Sequence, residues 1–160
     1  MTADGPLPKI IGMKRIKPVG MAAVIFLIFG LSAYAILSSD EKAILFPSGA
    51  VIVAELADTP ETREKGLMFR ESLPKGGGLL FIFEVAKPYR FWMKNCKFPI
   101  DIIWINEAKE VVYIAKDAPP CTGDPCPTYG PKNEAALYVL EVAAGFSVKE
   151  GVKIGTKLQF

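Results

Sequence analysis

The sequence predicts a mostly β domain (α+β, with short helices), sandwich-like or barrel-like, behind one N-terminal transmembrane helix. Three observations carry that reading. Residues 43–160 hold many short runs rich in β-branched and aromatic residues, each bounded by turn residues. The helical signals between them are brief, and the runs are too closely spaced for repeated βαβ units. Residues 19–37 form one apolar stretch without a charge, long enough to cross a bilayer.

That stretch runs from Val19 to Leu37. As a helix it spans about 28 Å, close to the ~30 Å hydrocarbon core. It lacks the polar stripe of a soluble buried helix. Lys9, Lys14, Arg15 and Lys17 precede it, and Asp40 and Glu41 follow it. The positive-inside rule then puts the N-terminus in the cytoplasm and the rest outside. Two readings stay open. One is an uncleaved signal anchor, giving a single-pass protein of the cell membrane. The other is secretion after signal-peptide cleavage near Ala35, with Ala33-Tyr34-Ala35 as the site. Ile36 and Leu37 continue the apolar run past that site, which favours the anchor. The chain thus divides into a basic cytoplasmic tail (1–18), a transmembrane signal anchor (19–37), a linker (38–42) and an extracytoplasmic β-rich domain (43–160).

Within that domain, Ala50–Leu56 is short and β-branched and reads as a strand. Thr59 can cap a helix, Pro60 suits its first turn and Glu61 suits its positive end; Gly66 should stop it. Pro74 and Gly76–Gly78 make a flexible turn. Leu79–Phe83 is nearly all apolar, as expected of a strand covered on both faces, and Arg90–Met93 reads as another. Ile100–Asn106 and Glu110–Ala115 form a hairpin through Glu107–Lys109. A long loop covers Lys116–Glu134, and Ala136–Val142 is the next strand. Ala143–Glu150 has room for one helical turn, and Lys157–Phe160 closes the chain as a strand.

Composition narrows the chemistry. The 160 residues contain no histidine and carry a net charge of +2. Ser-His-Asp and Cys-His catalytic units and His-ligated metal sites are therefore excluded. The near-balanced charge gives no nucleic-acid footprint. No metal site and no cofactor is expected.

Cys121 and Cys126 lie in a loop already restricted by Pro119, Pro120, Pro125, Pro127 and Pro131. Outside the cytoplasm a disulfide between them is the natural reading. A ring so small stabilises by only about 2 kcal/mol, so its role would be to fix loop shape. Cys96 is left over. Lys94 and Lys97 nearby would lower its thiol pKa and make it reactive; the plainer reading is a small side chain buried at a strand end.

Two segments set charges among apolar residues: Arg63–Arg70 and Phe91–Asp101. Strand alternation puts Asp101 on the same side as Ile103 and Ile105. A carboxylate there needs a partner, and Lys94, Arg70 and Arg63 are the candidates. One reading is a polar cluster at the mouth of an apolar pocket. The other is a structural ion pair at a strand end. The candidate ligand-binding residues are Arg63, Arg70, Trp92, Met93, Lys94, Asn95 and Asp101, and no residue is assigned as catalytic.

The segments Arg63-x-x-Gly66-Leu67-Met68-Phe69-Arg70, Phe91-Trp92-Met93-Lys94-Asn95, Pro99–Ile105, Tyr138–Gly145 and Gly151–Phe160 occur in that order. Together they resemble the domain of unknown function 192 (DUF192) family, over nearly all of 45–160. The resemblance implies a compact β-rich domain, often behind a signal or membrane segment. It implies no particular activity, substrate or cofactor. The family's Lys-Asn-Thr has Cys96 in place of threonine here.

The functional expectation is a membrane-tethered module that binds a small anionic ligand or an envelope protein. Lys94 and the arginines would favour an anionic group, with Met93 and Trp92 as apolar wall. An enzymatic alternative, a hydrolase or transferase, would use Asp101 as base, Lys94 as electrostatic stabiliser and Cys96 as possible nucleophile. A structural interaction domain is the third; it would need a broad apolar face and no concave pocket.

Overall fold

The computed structural model describes residues 40–160. The basic tail, the anchor at 19–37 and the cleavage site near Ala35 lie outside the described residues. Among the described residues no helix is long and apolar enough to cross a membrane.

The elements follow in the order β1 (Glu41–Leu45), β2 (Val51–Ala57), α1 (Pro60–Lys65), β3 (Gly77–Lys87), β4 (Phe91–Trp92), β5 (Ile100–Ile105), β6 (Val111–Ala118), β7 (Thr128–Tyr129), β8 (Ala136–Ala143) and α2 (Phe146–Lys149). Six strands make one mixed sheet in the order β1-β2-β3-β8-β5-β6, and β4 pairs with β7 apart from it. Neighbours in the large sheet are antiparallel except β2 and β3, which are parallel. A parallel pair needs a crossover, and α1 lies on it. The close strand spacing argued against repeated βαβ units; one unit occurs.

The local signals for α1 act as expected. The Thr59 hydroxyl accepts the Thr62 N–H at 3.2 Å, and the Thr59 N–H donates to the Thr62 hydroxyl at 3.0 Å. Gly66 ends the helix with φ of 48°, a left-handed value that glycine takes freely.

Several boundaries differ from the sequence reading. The linker at 38–42 is cut short, because Glu41 and Lys42 pair with Glu55 and Ala54 in β1 and β2. Their charges masked a strand at the edge of the sheet. The loop at 116–134 gives up residues to β6 and contains β7. The last residues make isolated bridges rather than a full strand. Those bridges still close the domain. Leu45 on β1 exchanges backbone hydrogen bonds with Gln159 at 2.9 and 3.1 Å, and Val111 on β6 receives the Gly155 N–H and donates to Thr156. One short segment thus bonds to both edge strands of the sheet and covers edges that would otherwise be open.

Both faces of the sheet are covered. One cluster includes Ile44, Ile52, Leu80, Ile103, Ile105, Leu140 and Leu158. The other includes Leu67, Leu79, Phe81, Met93, Ile102, Trp104 and Val139. All six residues of β5 are buried as a result. This matches the almost unbroken apolar runs in β3 and β5. The second cluster is the floor on which the pocket described next is built.

Candidate ligand pocket

A pocket of about 300 Å³ opens over the second core cluster. The turn after α1 supplies Gly66 and Met68, β3 supplies Phe81 and Phe83, and residues 89–96 supply most of the opposite wall. Aromatic packing holds that wall. Phe91 meets Phe81 edge-to-face at 4.8 Å and Trp104 at 5.6 Å, and Tyr89 stacks on Phe83 at 3.6 Å.

The charged side chains lining the pocket are mostly cations: Arg63, Lys65, Arg90 and Lys94, with Glu64 and Glu141 as the acids. The Arg63 guanidinium donates to the Asp58 and Ile82 carbonyls at 2.6 and 2.8 Å and lies 5.5 Å from the Phe83 ring centre. It therefore fixes α1 to β3 while adding charge. The Lys94 ammonium lies 5.1 Å from the centre of the Trp92 ring. Arg90 donates to the Thr128 carbonyl at 2.7 Å and to the Gly130 carbonyl, tying the wall to β7. Gly130 is required there: with φ of 139°, a Cβ would lie 2.5 Å from the Tyr89 carbonyl oxygen.

Of the residues expected from sequence, Arg63, Trp92 and Lys94 line the pocket. Met93 is fully buried in the core beneath it. Asn95 takes a left-handed φ of 56°, and its carbonyl accepts the Phe69 N–H at 2.8 Å. It shapes the rim without lining the cavity. Arg70 also lies outside the lining, clamping Glu55 through two hydrogen bonds of 2.5 and 2.8 Å. This pairing holds the Glu55 carboxyl below its ordinary pKa.

Asp101 does not join these groups. It is fully buried, and its partners are backbone amides rather than Lys94, Arg70 or Arg63. Oδ1 accepts the Asp117 N–H at 2.9 Å and the Gly145 N–H at 3.3 Å, and Oδ2 accepts the Ser147 N–H at 2.7 Å. Strand alternation did put it beside Ile103 and Ile105; the side chains at 63, 70 and 94 belong to the other side of the sheet.

Cys96 lines the pocket, half-buried. Burial, reinforced by Glu141, pushes its thiol up to about 11. Lost hydration of the thiolate thus raises the thiol, opposite to the lowering that the reactive reading of Cys96 required. Cys121 and Cys126 are joined, with an S–S distance of 2.12 Å. Among the described residues, no group of His, Cys, Asp or Glu is arranged to hold a metal.

The residue missed from sequence is Glu141. It sits in β8 between Leu79 of β3 and Ile102 of β5. It is 4% exposed and lines the pocket, and its Oε2 has no hydrogen-bond partner among the described residues. Burial pushes its carboxyl up to about 8, against the opposing pull of Arg70. At neutral pH it is therefore mostly uncharged. The available signal was a lone glutamate inside the apolar run Ala136–Val142, on the same face as Val139.

Comparisons with known proteins agree with this fold. The family model DUF192 (Uncharacterized ACR) matches residues 43–160. A crystal structure of a protein of unknown function from Novosphingobium aromaticivorans DSM 12444 is 31% identical, with a TM-score of 0.66 over 75% of this chain and 84% of that one. A crystal structure of a "putative transcription regulator" from Sinorhizobium meliloti 1021 is 32% identical, with a TM-score of 0.63 over 73% of this chain and 89% of that one. No curated protein matches the sequence.

Proposed function

The chain belongs to the DUF192 family, and we propose that it is a binding module, held outside the membrane by residues 19–37, whose pocket takes a small anionic amphiphile. The observation that carries this reading is the pocket itself: an aromatic hollow of about 300 Å³ with Arg63, Arg90 and Lys94 around it. Aromatic walls hold an apolar body, and a cationic rim selects an anionic end. The concavity favours a small ligand over a flat protein interface. The enzymatic alternative loses two of its groups, since backbone amides enclose Asp101 and burial keeps Cys96 protonated. The uncharged run at 19–37 and the Cys121–Cys126 bond both suit an exported, anchored domain.

Two probes with one aromatic body test the pocket. The full chain in lipid nanodiscs should bind 1-anilinonaphthalene-8-sulfonate saturably above the empty-disc background. Lys94→Glu should weaken that binding about tenfold, leaving binding of the uncharged N-phenyl-1-naphthylamine unchanged. Absence of saturable sulfonate binding overturns the reading. For placement, protease added outside sealed right-side-out vesicles should digest residues 43–160; protection overturns the exported orientation.

A further inference from the structure

The rim and walls account for an anionic end and an apolar body, but not for the carboxyl buried behind them. Glu141 is the one buried polar side chain lining the pocket among the described residues. Among those residues its Oε2 lacks a partner. The only other buried side-chain orphan among the described residues is the Ser147 hydroxyl, which does not line the pocket. A buried polar atom left unpaired costs free energy, so such an atom in a pocket is well placed for a ligand that pairs it.

We infer that the inner end of the pocket recognises an uncharged hydrogen-bond acceptor, a carbonyl or ether oxygen, through the Glu141 carboxyl. The ligand class is then an aromatic or apolar molecule with an anionic group at the rim and a carbonyl or ether oxygen at its inner end. This rests on the pocket reading above and sharpens it. An acceptor is specified because Glu141 keeps its proton at neutral pH, with its carboxyl pushed up to about 8, and so donates an O–H. A cationic ligand group is disfavoured by Arg63, Arg90 and Lys94, which it would have to pass. The flanking positions on β3 and β5 are the apolar Leu79 and Ile102. The charged and titratable groups felt there are Arg70, which favours ionisation, and the Cys96 thiol, which stays protonated up to about 11.

The test compares 6-acetylnaphthalene-2-sulfonate with 6-ethylnaphthalene-2-sulfonate, which differ in the inner-end acceptor alone. Binding is measured by calorimetry on the full chain in nanodiscs, with empty discs subtracted. At pH 6 the acetyl probe should bind about three- to tenfold tighter, the range for one neutral hydrogen bond. Glu141→Leu should abolish that preference, and Glu141→Gln, which keeps an N–H donor, should retain it. Should the leucine variant not fold, raising the pH to 9.5 replaces it: ionised Glu141 cannot donate, so wild type loses the preference and the glutamine variant does not. Equal binding of both probes to wild type overturns this inference and leaves the pocket reading intact. So does a preference that survives in Glu141→Leu. Binding of neither probe overturns the pocket reading itself, and this inference with it.

Discussion

The Asp101 carboxylate at the start of β5 accepts the backbone N–H of Ser147, at 2.7 Å, 46 residues further along the chain. Helix α2 has Gly145 at its N-cap and no side-chain capping bond of its own, so Asp101 caps it from a distance. The same carboxylate holds Asp117 at the end of β6. One side chain thereby joins the β5–β6 pair to the segment after β8.

Asp101 is therefore expected to act on stability, and Lys94 on binding. Asp101→Ala should cost about 3 kcal/mol, since it strands buried amide donors. Lys94→Ala should stay within about 0.5 kcal/mol. Urea denaturation of the two variants checks this. A fully stable Asp101→Ala protein would remove its structural role.

Glu141 sets a pH dependence whose sign follows from its direction of shift. Its carboxyl moves from an ordinary 4.5 in the unfolded chain to about 8 in the folded one. The folded state therefore holds more protons between those values, and stability falls as pH rises through that window. Glu141→Gln should melt above wild type at pH 8, and the gap should shrink as pH drops toward 4.5. The Glu55–Arg70 pair contributes the opposite slope in acid, but it is present in both proteins and cancels in their difference. Melting curves across pH 4–9 measure the gap; a constant gap contradicts the shift.

Gly130 carries the contact between the pocket wall and β7. Gly130→Ala must push a methyl group to 2.5 Å from the Tyr89 carbonyl at a φ of 139°. Tyr89 would have to move, disturbing the 2.9 Å bond its carbonyl accepts from the Trp104 indole. A loss of about 2 kcal/mol or more is expected by chemical denaturation. The Gly123→Ala control, where a Cβ meets nothing within 4 Å among the described residues, should be nearly neutral.

Cys96 should resist mild alkylation in the folded protein. Its thiol lies at about 11, so very little thiolate exists at pH 8. Iodoacetamide under non-reducing conditions, followed by mass measurement, should leave wild type unmodified and label Cys96 only after denaturant is added. Rapid labelling of the folded chain would restore the nucleophilic alternative.

Local signals proved legible where chain neighbours set the physics. Thr59, Pro60 and Gly66 marked α1 at both ends, and the alternation in Ile100–Ile105 put Asp101 on its true face. The pocket was legible in part. Arg63, Trp92 and Lys94 line one pocket, while Arg70 pairs with Glu55 and Met93 lies in the core.

By itself the sequence determined the β-rich class, the bounds of α1, the β5–β6 hairpin, the Cys121–Cys126 pairing and the uncharged run at 19–37. Each depends on residues close in the chain or on composition. Only the tertiary structure decided the closure of the sheet by its last residues, the partners of Asp101 and the role of Glu141. The reason is burial. A carboxylate in an apolar strand is visible in the sequence, but the folded packing decides which donors reach it. Backbone amides reach Asp101 and pair its oxygens, whereas Glu141 lies between apolar strand neighbours, and burial raises its carboxyl.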